Sequence, residues 1–177
     1  MPTTEVNLER KRLKQIMKSK WVNILLVLAT LVVFTSCENK KQTAENEKIK
    51  CSISIECGNV LNHMEELSED KKDIIPKEGI ILEKTEVEIV EGTSVYEVLT
   101  NICREREILM EGSFTAGTGS AYVEGIANLY EFDCGELSGW QYSVNGEHTG
   151  ISSSDYPVKD GDVIEWRYTC DLGEDLK

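Results

Sequence analysis

The chain is short of basic charge and of histidine. Its 177 residues carry 19 Lys and Arg against 32 Asp and Glu, a net charge of −13, with only two His. Contact with phosphate backbones needs clustered Lys and Arg, so nucleic-acid binding is excluded as a function class. Acid–base or triad catalysis needs a His oriented by a carboxylate. His63 lies in an acidic segment and His148 follows a turn, so both read as solvated surface residues and no enzymatic activity is expected. No C-x2-C pair occurs, which with two His leaves no zinc set, and no metal ligands are assigned. The EF-hand spacing is missing as well. Asp133, Glu136, Asp155, Asp160 and Asp162 offer the oxygen ligands that calcium prefers, but they read first as solvated turn residues. The longest apolar run, 14 residues, is marginal against the roughly 20 of a spanning helix.

What is present is unevenly placed. Residues 1–37 hold six basic and two acidic side chains, leaving 13 basic and 30 acidic in the remainder. So acidic a body does not adhere to anionic lipid, and any membrane contact must come from the N-terminus. There, a 14-residue apolar stretch (21–34) follows Lys18 and Lys20 and precedes Thr35-Ser36-Cys37. A basic start, a short apolar centre and small residues before a cut site make an export signal. With a cysteine next, the segment resembles the bacterial lipoprotein signal, although Phe34 stands where Leu or Val is usual. That resemblance implies a signal peptide over 1–36, a diacylglycerol on the Cys37 sulfur, and a domain held on the extracytoplasmic face of the cell membrane. An uncleaved N-terminal anchor is the alternative, and a start at Met17 would give a more compact signal than Met1. Residues 37–50 have almost no apolar side chains and read as a flexible polar tether.

From Cys51 the pattern is that of one folded domain, residues 51–177. Cys51, Ile53, Ile55 and Cys57 alternate with polar residues, the signature of a half-buried strand. Residues 60–75 suggest a short helix or ordered loop, and Val87 and Ile89 mark a second strand. Ser94 with Glu97 is a capping box, followed by an apolar stripe of Val95, Val98, Leu99, Ile102 and Cys103. Residues 121–130 read as extended, with Gly125 as a bulge. Trp140, Tyr142 and Val144 alternate up to the hairpin turn Asn145-Gly146. A second turn, Asp160-Gly161, leads into a last strand with Ile164, Trp166, Tyr168 and Cys170 on one face. The expected class is α+β: one main helix packed on a mixed, largely antiparallel sheet in a β-grasp-like arrangement.

With Cys37 lipidated, five thiols remain, and an exported domain permits disulfides. Two bridges and a leftover thiol are the natural reading. Cys57 ends a strand and Cys103 sits on the helix expected to cross it, making Cys57–Cys103 the preferred pair. In the chain-entropy model that bridge is worth roughly 4 kcal/mol.

Four blocks then resemble the transcobalamin-like C-terminal domain family: Gly92–Leu99, Ala121–Ile126, Gly139–Gly146 and Lys159–Trp166. The resemblance extends over about residues 51–173. In animal transcobalamin and intrinsic factor the similar domain closes over one face of a corrin ring, and a helical domain supplies the other half. This chain contains no such helical domain. The resemblance implies a ligand-facing segment from His148 to Tyr156, with Trp140 on the adjoining hairpin. Trp140, Tyr142, His148, Ser153 and Tyr156 are the candidate ligand residues, and Trp140→Ala is expected to weaken binding without unfolding the domain. Bacterial members carry a cysteine near Ser153. Its absence implies an unpaired thiol, for which Cys134 is the candidate.

Two function classes follow. One is a binding module with no resident cofactor, for which a corrinoid such as cobalamin is the favoured ligand. The other is a surface module that docks a protein partner, or a divalent cation, and takes no organic ligand.

Overall fold

The computed structural model describes residues 47–176. The chain divides into two units, 1–43 and 44–177, and the described residues belong to the second. The export signal, Cys37 and most of the tether lie outside the described residues. Within them, no helix is long and apolar enough to cross a membrane.

The first strand sets the frame. β1 (Lys48–Glu56) begins three residues inside the stretch read as tether. Its alternation buries Cys51, Ile53 and Ile55 at 0–3% exposure. It pairs antiparallel with β2 (Ile80–Val90) and parallel with β7 (Val163–Thr169), which pairs antiparallel with β6 (Gly139–Val144). The resulting mixed sheet has the order β2-β1-β7-β6. A parallel central pair needs a long crossover, and everything between β2 and β6 serves as one.

That crossover starts with α1 (Val95–Glu105). The capping box forms as expected: the Glu97 N–H donates to Ser94 Oγ at 3.3 Å, and Glu97 Oε2 accepts the Ser94 N–H at 2.8 Å. Val95, Val98, Leu99, Ile102 and Cys103 are all buried and join the strands in one core. The helix start is also held by the 148–156 loop. The Ser153 and Tyr156 carbonyls accept the Tyr96 and Val95 N–H groups at 2.9 and 3.1 Å. A second sheet follows, β3 (Met110–Phe114), β4 (Ala121–Ile126) and β5 (Leu129–Tyr130), in the order β3-β4-β5.

Three local readings change. Residues 60–75 form two 3-10 turns, Gly58–Asn62 and Glu69–Ile74, rather than one helix. Residues 121–130 are not one strand, because Ala127 and Asn128 take positive φ (53° and 64°) and fold the chain back between β4 and β5. The bulge falls at Glu124, since Gly125 and Val123 oppose the consecutive residues Glu111 and Gly112. Gly125 is needed for a different reason: a Cβ there would lie 2.5 Å from the Tyr130 ring. The Asn145-Gly146 turn is as expected, with φ of 55° and 80°. Asp162, one of the candidate calcium ligands, is a buried brace, accepting Asn145 Nδ2–H and the Lys159 N–H at 2.9 Å each.

Candidate functional site

The start of β4, the face of β6 and the 148–153 loop border a cleft of about 320 Å³. Of the five candidate ligand residues, Trp140, Tyr142, His148 and Ser153 line it; Tyr156 does not. Tyr142 ties the loop in place. Its phenol donates to the Ile151 carbonyl at 2.8 Å and shares a 2.5 Å hydrogen bond with Thr149 Oγ1. Burial raises the Tyr142 phenol pKa, keeping it a neutral donor. His148 is exposed, with Nδ1 3.2 Å from the Tyr142 carbonyl. Ser153 is 4% exposed, and its carbonyl serves the helix start.

Trp140 is a core residue as much as a cleft wall. It is 8% exposed, its indole N–H donates to the Leu129 carbonyl at 2.8 Å, and its ring meets Tyr168 edge-on at 5.3 Å. The expectation that Trp140→Ala spares the fold is therefore corrected, because truncating a buried Trp costs about 3–5 kcal/mol. The exposed apolar groups of the cleft are two that sequence reasoning left out, Tyr122 and Ile151, at 47% and 50% exposure. Tyr122 sits on a strand whose face the sequence did not reveal. Ile151 stands out only as an aliphatic residue inside a Ser- and Gly-rich loop.

Beneath the cleft lies Trp166. It is 2% exposed, and its Nε1–H is buried with no hydrogen-bond partner among the described residues. Such an orphan donor costs about 1–3 kcal/mol of desolvation, and buried Trp N–H groups usually find a partner. No Lys or Arg lines the cleft, which suits an uncharged ligand surface better than an anion.

The cysteines fall differently from expectation. All five of the domain are buried free thiols, so the Cys57–Cys103 bridge is not formed. A bridge needs Cα atoms within about 7 Å, which strand and helix spacing alone does not fix. Both act as small core residues, their thiols pushed up to about 11 by burial. Cys134, the candidate unpaired thiol, is free, yet it lies against Cys170 with the sulfurs 3.2 Å apart.

A family model described as a domain of unknown function, DUF4430, matches residues 92–170. All four sequence blocks that carry the resemblance noted above lie inside that span. Haptocorrin, crystallised in complex with Cbi, is similar in fold, with a TM-score of 0.51 and 14% identity over 76% of this chain and 28% of haptocorrin. The chain thus spans about 28% of the length of that relative. A protein of Ruminococcus gnavus, provisionally named as metal binding, aligns with a TM-score of 0.41 and 14% identity, over 68% of this chain and 96% of that one. No curated protein matches the sequence.

Proposed function

We propose that this chain is an exported, lipid-anchored binding module without catalytic activity, whose cleft presents one half of a small-molecule site with a corrinoid as ligand. The observation that carries this reading is the cleft itself, lined by the aromatic side chains of Trp140, Tyr142 and Trp166 and rimmed by exposed Tyr122 and Ile151. The apolar rim offers flat contact to a planar macrocycle, and the fold shared with haptocorrin supports that choice. At about 320 Å³ the cleft stands at the low end of ligand cavities, roughly 300–1,000 Å³, and cannot enclose a corrinoid. It covers one face, so binding by this chain alone is micromolar or weaker, and a partner completes the site. Lipid on Cys37 holds the module at the extracytoplasmic membrane face.

Calorimetry of the purified chain with cobalamin and cobinamide tests the proposal. Weak saturable binding of either is expected. Nanomolar affinity would overturn the half-site, and no binding of any corrinoid would overturn the ligand class. In the second case the exposed pair Tyr122 and Ile151 favours a protein partner at the same surface.

A further inference from the structure

The four residues that gather beside the C-terminal turn belong to no part of the cleft. His63 closes the first 3-10 turn, Cys134 precedes β6, Cys170 follows β7, and Asp175 lies in the last 3-10 turn, Glu174–Leu176. One donor atom each from His63, Cys170 and Asp175 fall within 4.8 Å of one another. Cys134 stands beside this trio, outside the 4.8 Å set but next to Cys170: its sulfur accepts the Cys170 S–H at 3.2 Å, and its own S–H donates to the His63 carbonyl at 3.6 Å. We infer that His63, Cys134, Cys170 and Asp175 form a binding site for a divalent cation of the zinc class.

The donor set selects the metal. Two sulfurs, one imidazole nitrogen and one carboxylate oxygen suit a borderline ion that takes four ligands, not calcium or magnesium, which take oxygen. Supporting contacts are already in place. Glu66 Oε1 lies 3.2 Å from His63 Nδ1, and an Nδ1–H donated to that carboxylate would leave Nε2 as the free lone pair of the ring. A carboxylate behind the histidine is the usual outer partner of a metal-bound imidazole. Asp175 is braced too: one oxygen accepts the Cys170 N–H at 2.8 Å and the other the Thr169 hydroxyl. Both thiols are buried while His63 and Asp175 are half-buried, so the set opens to solvent on its hard side. Tetrahedral zinc with Zn–S of about 2.3 Å needs sulfurs about 3.8 Å apart. From 3.2 Å this is a small opening, less than the closure to about 2.05 Å that a disulfide requires.

A metal-bound cysteine is a thiolate, so binding is an exchange in which M²⁺ and two S–H groups give two M–S bonds and two released protons. Affinity rises with pH accordingly.

The test uses the full chain, reduced and then freed of reductant, loaded with Zn²⁺ near neutral pH and separated from excess ion. One zinc per chain is expected, with two protons released into weak buffer, and Co²⁺ should give the intense near-ultraviolet bands of thiolate ligation. Cys134→Ser and Cys170→Ser should abolish loading. Glu66→Gln, a surface change outside the four ligands, should weaken it about tenfold or more. Tyr122→Ala should leave it unchanged, which separates failure here from failure at the cleft. The inference is overturned by absence of loading in the reduced chain, or by loading indifferent to His63→Ala and Glu66→Gln. It is equally overturned if non-reducing peptide mapping of the exported protein finds Cys134 joined to Cys170 with no metal.

Discussion

Trp140 and Trp166 offer a comparison in which the volume term cancels. Both are buried indoles on neighbouring strands, at 8% and 2% exposure. Replacing either by Phe removes the same atoms and opens a similar cavity. The polar consequences differ in sign. Trp140→Phe breaks the 2.8 Å hydrogen bond to the Leu129 carbonyl, a net loss of about 0.5–1.5 kcal/mol. Trp166→Phe deletes an N–H that has no partner, recovering a desolvation cost of about 1–3 kcal/mol. Trp140→Phe should therefore be the less stable variant by about 3 kcal/mol, or roughly 12 °C in melting temperature for a domain of this size. Denaturant melts followed by far-ultraviolet circular dichroism measure the difference, with unchanged slope showing that the unfolded state is common to both. Equal stabilities, or a costlier Trp166→Phe, would refute the claim that the Trp166 donor is unsatisfied in the free protein.

Tyr122→Ala and Ile151→Ala should each lower corrinoid affinity by calorimetry and leave the melt within about 0.5 kcal/mol, as exposed positions do. Gly79→Ala should cost about 3 kcal/mol or more, because φ is +67° and a Cβ would meet the Gly58 Cα at 2.3 Å, whereas Gly58→Ala meets nothing and should be near neutral. Cys37→Ala should leave the protein unprocessed or free of the membrane fraction, and a variant still lipidated would refute the lipid anchor. Burial works to raise the Asp175 carboxyl, but its bonds to the Thr169 hydroxyl and the Cys170 N–H hold it below the usual range. A depressed folded pKa means stability present above about pH 4 and lost as pH falls through the lower folded value. Asp175→Asn should flatten that part of an acid unfolding curve.

The parts legible in the sequence are those governed by local chemistry. The Ser94–Glu97 box needs only its own hydroxyl and carboxylate to cap α1, and Asn145-Gly146 needs only residues that tolerate positive φ. Period-2 alternation placed Cys51 to Ile55 and Ile164 to Cys170 inward because β1 and β7 pack one face on the helix. The failures are non-local. Strand β3, Met-Glu-Gly-Ser-Phe, is almost wholly exposed, so it carries no alternation to detect. The turn at Ala127 was invisible because Ala is no turn residue, and tertiary pairing forces its φ. Trp140 reads equally as platform or core until Leu129 and Tyr168 are seen against it. Cys134 and Cys170, with His63 and Asp175, meet only because β7 returns beside β1.

One face of β7 joins the two sites. Trp166 lines the cleft, Tyr168 packs edge-on to Trp140, and Cys170 begins the cation cluster. The joint is Tyr168, whose hydroxyl donates to the Tyr130 carbonyl at 2.6 Å and lies 2.9 Å from Ser138 Oγ; Ser138 Oγ in turn accepts the Cys134 N–H at 3.1 Å. These links are buried and fixed by hydrogen bonds, with no sliding surface between them. Coupling between sites requires an element with two arrangements that both ligands bias. A cation at Cys170 and a ligand over Trp166 should therefore each stabilise the domain by mass action, while the affinity of either is the same whether or not the other is bound.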